Sequence, residues 1–189
     1  MAASGLTAPL RRRMRSLIAH AEDGGAAANL LTCSLYRPVT REVAAARPLP
    51  ILASDQALFT QVAHEAPRRV AVLGPLDSAV QDTVRRLKES LGQPGSGHSG
   101  QHTDVRVEGV VVAGAGRAAA DRDLDLLEQL VADQARRVAP SVDLIVLGQF
   151  SLTPALRAAQ AAVSVPVLSP PHLAAGVLRE RLATARVSA

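Results

Sequence analysis

"VDLIVLGQFSLTPALRAAQAAVSVPVL", residues 142–168, decides the fold. VDLIVLG (142–148) is a short apolar run closed by glycine, the pattern of a strand buried on both faces of a parallel sheet. TPALRAAQAA (153–162) reads as a helix with proline in its first turn, and VPVLS (165–169) as a second strand. Strand, helix and strand in this order form a crossover unit, whose strands run parallel.

The alternation continues on both sides. RRVAVLG (68–74) and VRVEGVVVA (105–113) are further strands. DSAVQDTVRRLKESLG (77–92) spaces Val80, Val84, Leu87 and Leu91 as a helix and stops at Gly92. DRDLDLLEQLVADQARRV (121–138) puts acids first and arginines last, as the helix dipole prefers. PHLAAGVLRERLATA (171–185) is the closing helix, and GQPGSGHSGQH (92–102) is a Gly/Ser-rich loop. The fold class expected is α/β with parallel sheets.

Shifted against itself by 116 residues, the sequence matches without a gap. LTCSLYRPVTREVAAARPLPIL (31–52) falls on LGQFSLTPALRAAQAAVSVPVL (147–168), pairing Leu31, Pro38, Arg41, Ala45, Ala46, Pro50 and Leu52 with identical residues. The prolines matter most, because they mark the same helix start and strand start twice. The helices before, APLRRRMRSLIAHAE and LDLLEQLVADQARRV, share the register. Two similar α/β halves related by a pseudo-two-fold axis are expected, with residues 1–66 plus 171–189 in the first and 67–170 in the second. The first half lacks a counterpart to 68–113, so an incomplete first sheet is expected. Its open edge invites a second copy, and a homodimer is the expected assembly.

Under this repeat Cys33, the single cysteine, is equivalent to Gln149. Both follow strands at the carboxyl ends, where α/β folds hold ligands, and they are expected to face a cleft between the halves. A free cysteine is often a small buried hydrophobe; its place at a strand end makes Cys33 a candidate reagent. Gln149 follows an apolar run and needs polar partners. Ser34, Ser151 and Ser78 are candidates for helix starts as well as for ligand contacts.

Composition bounds the partners. The 189 residues are 48% hydrophobic and 2% aromatic with net charge +4, much of it in Arg11–Arg13 and Arg15. No stacking aromatics accompany that cluster, so a solvated helix face is expected rather than nucleic-acid binding. No apolar run reaches the length of a membrane helix, and no apolar segment follows the basic start as in a secretory signal. One cysteine makes no internal disulfide, and a cytoplasmic protein is expected. His98 and His102 stand in the Gly/Ser loop, so no metal site is expected there. GAGRAA (114–119) lacks the third glycine of a dinucleotide-binding turn and is discounted. His172, after SPP, is weighed as a general acid.

TCS (32–34) in one half and VDLIVLGQFSL…VPVLSPP in the other resemble the aspartate/glutamate racemase superfamily, which includes hydantoin racemases, maleate isomerases and arylmalonate decarboxylases. The resemblance runs from Thr7 onward. It implies proton transfer at the carbon beside a carboxylate, without metal or pyridoxal phosphate, by a cysteine from each half. Cys33 matches the first cysteine, with Thr32 and Ser34 beside it; Gln149 stands at the second. GPLDSAVQDT replaces the hydroxyl-rich carboxylate grip, leaving Ser78 as its remnant. The expectation is a racemase-, isomerase- or decarboxylase-like enzyme for a small carboxylate. Cys33 would be its acid/base or nucleophile, with Gln149, Ser34, Thr32, Ser78 and Ser151 as ligand contacts and no cofactor. The alternative is a catalytically degenerate relative that binds a small carboxylate or a protein.

Overall fold

The computed structural model describes residues 6–47, 49–92 and 105–187. The loop read over 92–102, with His98 and His102, lies outside the described residues except for Gly92. The chain divides into two compact units, Met1–Ala57 with His172–Ala189, and Leu58–Pro171.

The first unit opens with α1 (Ala8–Asp23), whose N-cap Thr7 accepts a hydrogen bond from the Leu10 N–H at 3.5 Å. Strand β1 (Asn29–Leu31) leads through a 3₁₀ turn, Ser34–Tyr36, into α2 (Arg37–Ala44), with Pro38 in its first turn. Strand β2 (Ile51–Ala53) then pairs with β1 in parallel, forming a two-stranded sheet. Ile18, Leu31, Val39, Val43 and Ile51 form the core of this unit. The basic cluster on α1 is more than a solvated face. Arg11 and Arg15 both engage Glu42 of α2, Arg11 at 2.7 Å. The Arg15 hydrogen bond, with the charges of both arginines, holds the Glu42 carboxyl below its ordinary range against the opposing effect of desolvation.

In the second unit α3 (Gln56–Glu65), which begins just before the boundary, precedes β3 (Arg69–Gly74), α4 (Asp77–Leu91) and β4 (Arg106–Val111). Helices α5 (Ala115–Asp121) and α6 (Leu124–Val138) follow, then β5 (Leu144–Leu147). A 3₁₀ stretch, Phe150–Ala155, runs into α7 (Leu156–Ala162), and β6 (Val167–Leu168) leads into α8 (Pro170–Val187). The four strands lie in the order β4-β3-β5-β6, all parallel. The chain builds β4 on one side of β3 and then crosses to place β5 on the other. The direction of winding therefore reverses between β3 and β5, which is where parallel sheets open a crevice at the carboxyl ends of the strands.

Two expected helices are drawn differently. The helix expected over 121–138 is split: Arg122 takes a left-handed conformation at φ 58, and Asp123 caps α6 by accepting the Leu126 N–H at 3.1 Å. GAGRAA is neither strand end nor nucleotide turn but the opening of α5, entered through Gly114 at φ 82. The helix expected from 153 is 3₁₀ until Ala155 and α-helical from Leu156.

Helix α4 packs on the sheet through Val80, Thr83 and Val84, with Val80 the closest. A Cβ placed on Gly74 would lie 2.4 Å from Val80 Cγ2, and one placed on Gly109 would lie 2.4 Å from Val80 Cγ1. Val80 therefore seats its two methyl groups on two glycines of neighbouring strands. Gly109→Ala is expected to destabilise the protein by about 1–3 kcal/mol through overpacking against a stiff, buried side chain. Chemical denaturation of Gly109→Ala, Val80→Ala and the double variant checks this: relief of the clash makes the double variant less destabilised than the two singles added together.

At Glu42 the folded carboxyl is the more acidic one, so its contribution to stability is present above the unfolded carboxyl's pKa and is lost as pH falls through the folded value. Glu42→Gln is expected to melt below the parent protein at neutral pH. The gap between the two melting temperatures closes as pH is lowered through the carboxylate range.

Candidate functional site

In the first unit, β1 ends at Leu31 and delivers Thr32 and Cys33 to the surface, both exposed. Cys33 is the N-cap of the 3₁₀ turn, extended at φ −110 and ψ 120, and its carbonyl accepts the Tyr36 N–H at 3.2 Å. The half-buried Ser34 opens the turn, and no side-chain cap bond is made. Behind it Arg37 lies 3.4 Å from Asp55, which follows β2; both side chains are largely buried.

The second unit repeats this local structure. Gln149 is the N-cap of its 3₁₀ stretch, extended at φ −138 and ψ 147, and its carbonyl accepts the Leu152 N–H at 3.1 Å. The strand pairing also repeats: Leu30 stands opposite Leu52, and Val146 opposite Leu168. Even the bond that opens each pair recurs, Asn29 N–H to the Pro50 carbonyl and Ile145 N–H to the Pro166 carbonyl, both at 2.9 Å. Each position is the counterpart of the other under the 116-residue shift. The equivalence of Cys33 and Gln149 is thus one of backbone geometry as well as of alignment. Chemistry differs at the tie between helix start and strand end. Where the first unit uses Arg37 and Asp55, the second pairs Thr153 Oγ1 with Ser169 Oγ at 2.8 Å.

A pocket of about 560 Å³ lies wholly within the second unit, lined by Pro75, Leu76, Gly114, Gly116, Arg117, Ala119, Ala120, Gln149 and Ser151. These residues follow β3, β4 and β5, so the pocket sits beyond the carboxyl ends of three adjacent strands, at the reversal of winding. Its volume falls in the range of small-molecule sites, about 300–1,000 Å³.

Close packing fixes the walls. A Cβ on Gly148 would come within 2.9 Å of Val72 Cγ1 and 3.3 Å of the Leu73 carbonyl oxygen, so the strand end that carries Gln149 lies hard against β3. On Gly116 a Cβ would lie 3.4 Å from Pro75 Cβ, which brings α5 against the segment after β3. The start of the sheet is tied as well: both the Arg68 and Arg69 backbone N–H groups donate to Asp143 Oδ2, at 3.0 and 2.9 Å. Neither Gln149 nor Ser151 has a side-chain hydrogen bond among the described residues, so their polar atoms are available to a ligand. Arg117 stands exposed at the rim with its Nε hydrogen-bonded to Asp121.

Of the residues expected from sequence, the pocket brings together Gln149 and Ser151. Thr32, Cys33 and Ser34 belong to the first unit. Ser78 is exposed in the first turn of α4, outside the pocket lining, and the helix cap is Leu76 rather than a serine. His172 is exposed in the first turn of α8. Pro75, Leu76, Arg117, Ala119 and Ala120 were not expected. The available signal was a leucine standing where a helix cap wants a polar residue. Among the described residues no group of three histidines, cysteines or carboxylates is arranged to hold a metal, and no helix is long and apolar enough to cross a membrane.

The Asp/Glu/Hydantoin racemase family model matches residues 3–178. Among solved structures, the glutamate racemase of Bacillus anthracis is similar at 11% identity and a TM-score of 0.60, over 90% of this chain and 65% of that one. An aspartate racemase homologue of Pyrococcus horikoshii reaches a TM-score of 0.64 at 16% identity, over 92% and 74% of the two chains. Arylmalonate decarboxylase reaches 0.61 at 20% identity, over 95% and 79%. At these identities the likeness is one of fold, and the chain spans less than two thirds of the length of the Bacillus enzyme. No curated protein matches significantly.

Gln149 has no side-chain bond to lose among the described residues, so Gln149→Ala is expected to change stability by no more than about 0.5 kcal/mol, as for an ordinary surface substitution. Gly148→Ala, one residue earlier, must push against Val72 Cγ1 and the Leu73 carbonyl and is expected to cost about 1–3 kcal/mol. Urea denaturation of the two variants tests the contrast.

Proposed function

Because the chain belongs to the Asp/Glu/hydantoin racemase family, we propose that it is a cofactor-independent enzyme acting at the carbon next to a carboxylate of a small acid. The observation that carries this reading is the place of Cys33: exposed, at the end of a parallel strand, at the head of a turn that runs into α2. A structural thiol belongs in the core, whereas a thiol used as a reagent must be reachable. Thr32 and Ser34 flank it with hydroxyls, and Gln149 and Ser151 offer unspent hydrogen-bonding groups to a carboxylate.

The chemistry follows from what a thiol can exchange. A Cys33 thiolate takes the proton from the α-carbon: the S–H bond forms, the C–H bond breaks, and the electron pair enters the carboxylate as an enediolate. Donors around that carboxylate stabilise the charge as it grows. Return of a proton from Cys33 to the same carbon completes the cycle. With a malonate-type acid the C–C bond breaks instead, carbon dioxide leaves, and the Cys33 thiol protonates the enediolate carbon. Gln149 holds the position equivalent to Cys33, and an amide donates hydrogen bonds without passing on a proton. One thiol serves one face of the carbon, so exchange with retention, or decarboxylation to a single enantiomer, is the outcome proposed rather than two-base racemisation.

Gln149 also favours a second reading, a relative that has lost turnover and binds a small acid or a protein partner. Incubation in D₂O with aspartate, glutamate, hydantoins and aryl- and alkylmalonates, followed by NMR, separates the two. Turnover on the proposed route shows as deuterium entering the α-position without inversion, or as loss of carbon dioxide. Cys33→Ala is then expected to be slower by about 10²–10⁴, the usual contribution of a positioned acid/base group. Silence across the panel, or turnover that survives Cys33→Ala, overturns the enzyme reading based on Cys33.

A further inference from the structure

We infer that the pocket of the second unit takes a small acid whose remaining substituent is apolar, seated on Leu76, Pro75, Ala119 and Ala120, and that it discriminates against acids whose substituent carries a further charge. This rests on the reading that Gln149 and Ser151 hold the carboxylate of the substrate. It adds the class of substrate.

The first observation is Leu76. It is the N-cap residue of α4, where a serine, threonine, aspartate or asparagine would satisfy a helix N–H, and it makes no cap bond. It is also 61% exposed, the most exposed of the large hydrophobic side chains on this surface. A leucine there forgoes the cap and leaves an apolar side chain in water, so helix stability gives no reason for it. A ligand that covers it supplies one.

The second observation is the character of the remaining wall. Pro75, Ala119 and Ala120 present carbon to the pocket, and Pro75 lies against α5 at Gly116. Polar groups stand on the β5 side, at Gln149 and Ser151. The division suits a molecule with one polar end and one apolar end.

Charge is the third. Arg117 is the cation of the lining, and Asp121 already partners it. Asp77, next to Leu76, adds a negative charge to the first turn of α4. An amino dicarboxylate such as aspartate or glutamate would bring a charged substituent to an apolar wall and to one cation that is already matched. A monocarboxylate can be held by Gln149, Ser151 and the guanidinium donors that Asp121 leaves free.

Titration of the ¹⁵N-labelled full chain with acetate, phenylacetate, aspartate and glutamate, followed by amide chemical shifts, tests the inference. Phenylacetate is expected to bind at least about tenfold tighter than acetate, with amide shifts at Leu76, Ala119 and Ala120, since part of a leucine-sized apolar contact is gained. Leu76→Ser, which restores a polar cap, is expected to lower phenylacetate affinity about five- to tenfold, to leave acetate unchanged, and to melt no lower than the parent. The inference is overturned if phenylacetate binds no better than acetate, if aspartate or glutamate binds best, if Leu76→Ser leaves the preference intact, or if no acid binds. Its failure is distinct from failure of the catalytic reading. Leu76-dependent binding of phenylacetate with no turnover of any acid leaves this inference standing and sinks the enzyme. Thiol-dependent turnover of aspartate, with aspartate the tightest ligand, does the reverse.

Discussion

Strand β3 is the member on which the second unit depends. It is hydrogen-bonded in parallel to β4 on one side and β5 on the other, and Val70 to Leu73 are fully buried. Such a strand has no edge for water or another chain, and its side chains enter packing on both faces. Each end is fixed by a different device. At the amino end Asp143 gathers two backbone N–H groups from Arg68 and Arg69; burial raises its carboxyl's affinity for protons, and those hydrogen bonds outweigh it and hold the group ionised below its ordinary range. At the carboxyl end Gly74 and Gly148 remove side chains where α4 and β5 must approach. The pocket lies directly beyond this tightly packed end, which is why its walls have little freedom to drift.

The two units solve the same local problem twice and then diverge in chemistry. Strand register, the bond that opens the pairing and the 3₁₀ exit from the strand all recur under one shift. Backbone hydrogen bonds of this kind tolerate almost any side chain. The residue at the head of each turn is therefore free to change without disturbing the turn, and here one is a thiol and the other an amide. A thiol moves protons; an amide orients a ligand. The repeat keeps geometry constant while function is assigned residue by residue, so membership of a family of racemases does not by itself carry racemisation to this chain.

Elements with a strong physical signature were legible in the sequence. The runs around Val70–Leu73 and Leu144–Leu147 announced buried strands, and Val80, Val84 and Leu87 announced the buried face of α4. Pro38 and Pro154 marked where turns pass into helices. Helix α5 was not legible, because GRAAAD carries no periodic pattern of large apolar residues and its stop depends on Arg122 taking a left-handed conformation. Within the pocket, Gln149 and Ser151 were legible from the repeat and the strand end. The apolar wall was not, since alanines and a proline gain meaning only when three loops bring them together. Leu76 was written in plain view, but its oddity requires knowing that it caps a helix.

An enzyme that removes a proton beside a carboxylate must spend its few polar groups on the oxygens where charge develops, and must keep bulk water from solvating that charge less specifically. A wall of carbon on the far side of the ligand serves that need. Carbon there excludes water from one face of a ligand, so that charge on the ligand is met by placed donors rather than by solvent. Leu76 has one physical consequence in two places: it leaves the cap of α4 without a side-chain hydrogen bond, and it lends its carbon to the pocket wall.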